Sequence, residues 1–91
     1  MDMKILKVNE VVKITGKSKP TLYTEINEGR FPPPIKIGMR ASGFIESEVE
    51  AVMRARSIGM RGIEIMDLVK KLLDKRKERA KQLFKQLGLD E

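Results

Sequence analysis

The chain has 91 residues, with 19 Lys/Arg against 13 Asp/Glu and a formal net charge of +6. It contains no cysteine and no histidine, which excludes disulfide scaffolds, the usual zinc sites, and Cys–His or Ser–His catalytic arrangements. One small domain with an appendage is the expected size class. No apolar run approaches the roughly 18 residues of a membrane span, and the N-terminus lacks the basic start and apolar run of a signal peptide. A cytoplasmic location with no membrane partner is the expectation.

Met1 to Lys7 reads as a short lead-in whose Met3, Ile5 and Leu6 cover the edge of a small core. The first helix is expected over about residues 9–15, with Asn9 as its N-cap, an apolar side of Val11, Val12 and Ile14, and Gly16 as its end. A second helix follows over about residues 19–28. Ser18 can accept a hydrogen bond from a free N–H of its first turn, Pro20 falls where a missing N–H costs little, and Gly29 can close it in the left-handed conformation. Leu22 and Ile26 share its one apolar stripe. Pro20, Thr21, Thr24, Asn27 and Glu28 lie opposite, with Lys19 and Tyr23 on the flanks. Two short helices meeting at a Gly-containing turn form a helix-turn-helix. In DNA-binding versions the N-terminal part of the second helix faces the bases; here that part is Ser18, Lys19, Pro20 and Thr21.

Arg30-Phe31-Pro32-Pro33-Pro34 cannot be helix, because three prolines remove donors and restrain the residues before them. Phe31 is expected to plug the core beneath the second helix. Ile35-Lys36-Ile37-Gly38 alternates apolar and polar residues, 38–43 is a turn with a glycine at each end, and Gly43-Phe44-Ile45 returns. The result is a hairpin with a basic tip. Taken alone, its cations could be simple solvated charges. Directly after a helix-turn-helix it reads as a wing, with Lys36 and Arg40 toward a phosphate backbone. Residues 4–40 carry a net charge of +5, which points to a polyanionic partner.

Residues 46–57 form a third helix, capped by Glu46 or Ser47. Glu46, Glu48 and Glu50 are read as charges suited to the positive helix end rather than as an acid/base or metal site. Two glycines break the chain at 58–62. A long amphipathic helix is then expected over about 63–87. Met66, Leu73, Ala80 and Leu87 are spaced by seven, with Val69 and Leu83 between them. Arg76 stands where an apolar residue would be expected, inside a polar block at which the helix could bend. Homodimerisation through Met66, Val69, Leu73, Ala80, Leu83 and Leu87 competes with packing on the domain itself. The fold class is mainly α with a small β-hairpin: a winged helix-turn-helix over 1–57, a linker over 58–62, and a C-terminal helix over 63–88.

The assembled residues over about 5–57 resemble the AlpA family of prophage regulators, small DNA-binding proteins related to excisionases and to the MerR-like winged-helix group. The resemblance rests on the Ser18-x-x-Thr21-Leu22-Tyr23 helix, the Gly29-Arg30-Phe31-Pro32 exit, the Lys36-x-Gly38 wing and the Glu46-Ser47-Glu48-Val49 helix start. It implies a transcriptional regulator that binds double-stranded DNA. Ser18, Lys19, Thr21 and Thr24 would sit at the major groove, Tyr23 and Arg30 would flank it, and Lys36 and Arg40 would belong to the wing. Two positions depart from the family's habit. Lys17 replaces an apolar residue and would add a phosphate-reaching cation, and Phe44 replaces a tryptophan. An excisionase-type architectural protein and an interaction module acting through the C-terminal helix remain open alternatives. No enzyme, cofactor or metal is expected.

Overall fold

The computed structural model describes residues 3–89. In chain order the elements are β1 (Ile5–Leu6), α1 (Val8–Thr15), α2 (Lys19–Asn27), β2 (Ile35–Lys36), β3 (Ser42–Ile45), α3 (Glu46–Ser57) and α4 (Ile63–Gln86). Together they form a winged helix-turn-helix with a long C-terminal helix.

α1 starts at Val8, and its N-cap falls two residues earlier than its sequence suggests. Lys7, not Asn9, is the N-cap residue. Glu10 decides this: its carboxylate accepts a hydrogen bond from the Lys7 N–H at 3.0 Å, tying the entry of the helix to its first turn. Asn9 is left as an exposed helical residue. Of the expected apolar side, Val11 is buried and Ile14 is about half exposed. Gly16, at φ 70°, then ends the helix, its N–H bonded to Val12 O at 2.9 Å.

The expected hairpin is part of a three-stranded antiparallel sheet, ordered β1-β3-β2. The lead-in supplies the extra strand, with Ile5 opposite Ile45 and Leu6 opposite Phe44. β3 is central, and Gly43 is where β1 crosses closest. A Cβ there would overlap Ile5 Cγ2 and lie 3.2 Å from Leu6 O. The sheet also explains how α3 begins. Neither Glu46 nor Ser47 caps it: Ile45 is the cap residue, with no side-chain cap bond. The first N–H, that of Glu46, goes instead to Lys4 O at 2.9 Å, so the residue leading into β1 satisfies it.

The core gathers Leu6, Val11, Leu22, Phe31, Phe44, Val49, Val52 and Ala55. Phe31 is the expected plug, and it meets Phe44 edge-on with ring centroids 6.0 Å apart. Ile65 and Val69 of α4 belong to the same core. Core packing therefore continues across the 58–62 segment.

α4 runs unbroken from Ile63 to Gln86, helical throughout its polar block. Arg76 is the reason an apolar residue is missing there. It reaches Glu48 through Nε at 2.8 Å and through Nη2 at 2.5 Å, and Nη2 also donates to Pro33 O at 2.7 Å. Glu48 does lie in the first turn of α3, as expected of a helix-end charge, but at 2% exposure it is also the buried partner of Arg76. Arg79 adds a second cation, 3.7 Å from Glu48 Oε2. Of the proposed pairing residues, Val69 is buried in the chain's own core and Leu73 packs against it. Neither is free for a second chain.

Candidate nucleic-acid interface

α2 is fixed at both ends and along one side. Ser18 caps it, accepting from the Thr21 N–H at 3.3 Å. Gly29, at φ 77°, turns the chain away, and the Arg30 N–H closes back on Glu25 O at 2.8 Å. Leu22 is fully buried beneath it, with Ile26 packed against the core.

The side of α2 facing away from Leu22 presents Ser18, Lys19, Pro20, Thr21, Thr24 and Asn27, all exposed. Its hydroxyls are already oriented. Ser18 Oγ donates to Thr21 Oγ1 at 2.9 Å, and Thr24 Oγ1 donates to Pro20 O at 3.0 Å. Each oxygen keeps acceptor capacity outward, and each threonine also offers a methyl group. Lys19 has no ion-pair partner among the described residues. Tyr23 is half-buried on the flank.

Two of the nine candidate residues are placed differently from the rest. Lys17 pairs with the Glu25 carboxylate. Glu25 is 7% exposed and also takes Arg56 Nη2 at 3.4 Å. The Lys17 ammonium therefore joins the turn after α1 to α2, and through Glu25 and Arg56 to α3. Arg30 pairs with Glu28 at the exit of α2. The hydrogen bond and charge of Glu28 raise its pKa above the ordinary arginine value, so it stays cationic.

The hairpin carries the remaining pair. Lys36 and Arg40 are exposed and free of ion pairs among the described residues. β2 is held to β3 with Ile35 opposite Gly43 and Lys36 opposite Ser42, and the Ile37 N–H donates to Ala41 O at 3.0 Å across the tip. Met39, at the turn itself, is 97% exposed with Ile37 beside it. The sequence pattern did not single out Met39 or the buried Glu25. Glu25 stands three residues from Leu22, on the same side of the helix, and that spacing was its available signal.

A capped second helix with an exposed, uncharged-to-cationic face, followed by a basic hairpin, defines the winged helix-turn-helix class of fold. The comparison with protein families agrees. The family model described as "Prophage CP4-57 regulatory protein (AlpA)" matches residues 4–57, and the chain belongs to this AlpA family. It is also 38% identical over 56 residues to "Uncharacterized protein ORF88" of Enterobacteria phage P4, covering 62% of this chain and 64% of that protein. The chain thus spans less than two thirds of that relative's length. No solved structure matches it. α4 lies beyond the matched segment. No helix among the described residues is long and apolar enough to cross a membrane.

Proposed function

We propose that this chain is a DNA-binding transcriptional regulator of a prophage or related mobile element, acting in the cytoplasm on double-stranded DNA. α2 enters the major groove, and the β2–β3 hairpin lies on the adjoining backbone. The observation that carries the reading is the exposed face of α2, whose Ser18, Lys19, Thr21 and Thr24 need no desolvated partner of their own while Leu22 and Glu25 hold the helix from behind. Membership in a family described as regulatory supports it.

In this reading Lys19 supplies a cation to a phosphate or a base edge, and Thr21 and Thr24 offer methyl and hydroxyl contacts. Lys36 and Arg40 contribute sequence-independent attraction. Lys17 acts through Glu25 on the placing of α2, rather than as a free phosphate contact. Hydroxyl-radical and methylation footprinting on a bound duplex tests the arrangement. Protection of major-groove guanines beside a separately protected backbone stretch supports it, and backbone protection alone contradicts a major-groove α2.

One observation favours an architectural role within the same complex. Met39 is a nearly fully exposed apolar side chain at the tip of a basic hairpin, and apolar wedges at base steps are a common means of kinking DNA. Circular-permutation mobility separates the two roles: a mobility minimum that moves with the site means bending, and a flat profile means a regulator that leaves the DNA straight.

A further inference from the structure

The β2–β3 hairpin has two legs, and one side chain from outside it holds both. β2 begins at Ile35, shortly after Pro33, and β3 ends at Ile45, where α3 starts with no residue between. Arg76 Nη2 donates to Pro33 O at 2.7 Å. The same guanidinium donates through Nε and Nη2 to Glu48, in the first turn of α3, at 2.8 Å and 2.5 Å. It therefore lies at the root of the hairpin and ties the entry of one leg to the exit of the other. A planar fork of donors in fixed directions suits that task.

The connector needs a donor from elsewhere. Pro32, Pro33 and Pro34 carry no N–H, so their backbone can be held only through its carbonyls. Phe31 and Pro32 are buried, whereas Pro33, Pro34 and Ile35 are only partly so. Packing thus fixes the start of the connector, and Arg76 fixes its end. β2 adds little stiffness of its own: it is an edge strand of two residues, paired to β3 alone. Arg76 belongs to α4 and lies beyond the segment matched by the family, so membership assigns it nothing.

We propose that Arg76 is a positioning residue for the wing: it sets the direction in which the hairpin presents Lys36 and Arg40, and so how much they add to DNA binding. The proposal rests on the reading of this hairpin as a backbone-contacting wing. Arg76 itself touches no DNA in this account. With the root released, the hairpin pivots on the connector, and each cation spends less time at the phosphate it meets in the wild type. Affinity then falls through the wing alone, while α2, held by Leu22 and Glu25, keeps its place.

Two measurements separate positioning from a loss of stability. Both use Glu48→Met with Arg76→Leu, which removes the two buried charges together and leaves Pro33 O without its donor. Arg76→Lys is the milder companion: its ammonium ends short of the Nη2 position, so it keeps Glu48 and gives up Pro33. The first measurement needs no DNA. The chain has no cysteine, so spin labels at Met39→Cys on the hairpin tip and Lys13→Cys on α1, both exposed, are clean probes. The distribution of distances between them should shift or broaden in both variants, with circular dichroism unchanged. The same distribution in wild type and variants overturns the proposal.

The second measurement is a salt-dependent titration against a mixed-sequence duplex, with and without Lys36→Ala plus Arg40→Ala. In the wild-type background these two changes should lower the salt slope by about two. In the Glu48→Met, Arg76→Leu background they should lower it by about one or less. An equal loss in both backgrounds overturns the proposal, because the wing cations then reach their phosphates without Arg76. No loss in the wild type overturns the wing reading and the proposal with it, and that failure shows before Arg76 is changed.

Discussion

Arg76 grips Glu48 with two nitrogens, at 2.8 Å and 2.5 Å, and the same guanidinium holds the Pro33 carbonyl at 2.7 Å. One side chain of α4 thus fastens both the start of α3 and the proline connector leading into the hairpin. Removing it leaves Glu48 buried with only Arg79 nearby. Arg76→Ala should therefore cost about 3–5 kcal/mol of stability. The double change Glu48→Met with Arg76→Leu should recover most of that loss, because two apolar groups need no partner. Urea denaturation of the wild type and of both variants checks both statements.

The core crosses the 58–62 loop, so the winged segment should not stand alone. A chain ending at Ser57 loses Ile65 and Val69 from the core and exposes the Glu48 carboxylate. It should show no cooperative thermal transition. A truncation after Lys81 keeps all three contacts and should fold with a near wild-type midpoint.

Lys17 and Lys19 are two residues apart and should behave as opposites. Lys17→Ala strips the buried Glu25 of one of its two cations, leaving Arg56 at 3.4 Å. It should lower stability by about 1–3 kcal/mol, the usual cost of leaving a buried polar group short of a partner. Lys19→Ala should leave the unfolding midpoint unchanged and weaken DNA binding. If Lys19 meets a phosphate, its loss reduces the salt slope by about one. Denaturation and salt-dependent titration, run on both variants, separate the two roles.

Gly43 has no room for a side chain. A Cβ there overlaps Ile5 Cγ2 and presses on Leu6 O. Gly43→Ala should push β1 from β3 and destabilise by about 1–3 kcal/mol. Hydrogen exchange should show the loss first at the Glu46 N–H, whose acceptor is Lys4 O.

What could be read from the sequence follows the range of the interactions involved. α2, with Ser18 before it and Gly29 after it, was legible because caps are local chemistry, and α3 and α4 followed from apolar spacing. Phe31 was legible as core because the prolines around it exclude a helix. β1 was not, since a two-residue strand carries no periodicity and exists only where β3 receives it. The cap of α1 at Lys7 was missed because Glu10, three residues on, outcompetes Asn9. Glu25, Glu48 and Arg76 were the hardest. A buried carboxylate looks like a surface one until its partner, 28 residues away from Glu48 in the case of Arg76, is brought beside it.

α2 is proposed to read DNA sequence. The direct measurement is selection of bound duplexes from a random library by the full chain, repeated as salt is raised, and repeated with Thr21→Ala. A consensus that persists at higher salt, and that changes at one or two positions with Thr21→Ala by about 1–3 kcal/mol of discrimination, is the predicted result. Steeply salt-dependent binding with no consensus, unchanged by Thr21→Ala, would contradict it and reduce the interface to charge alone.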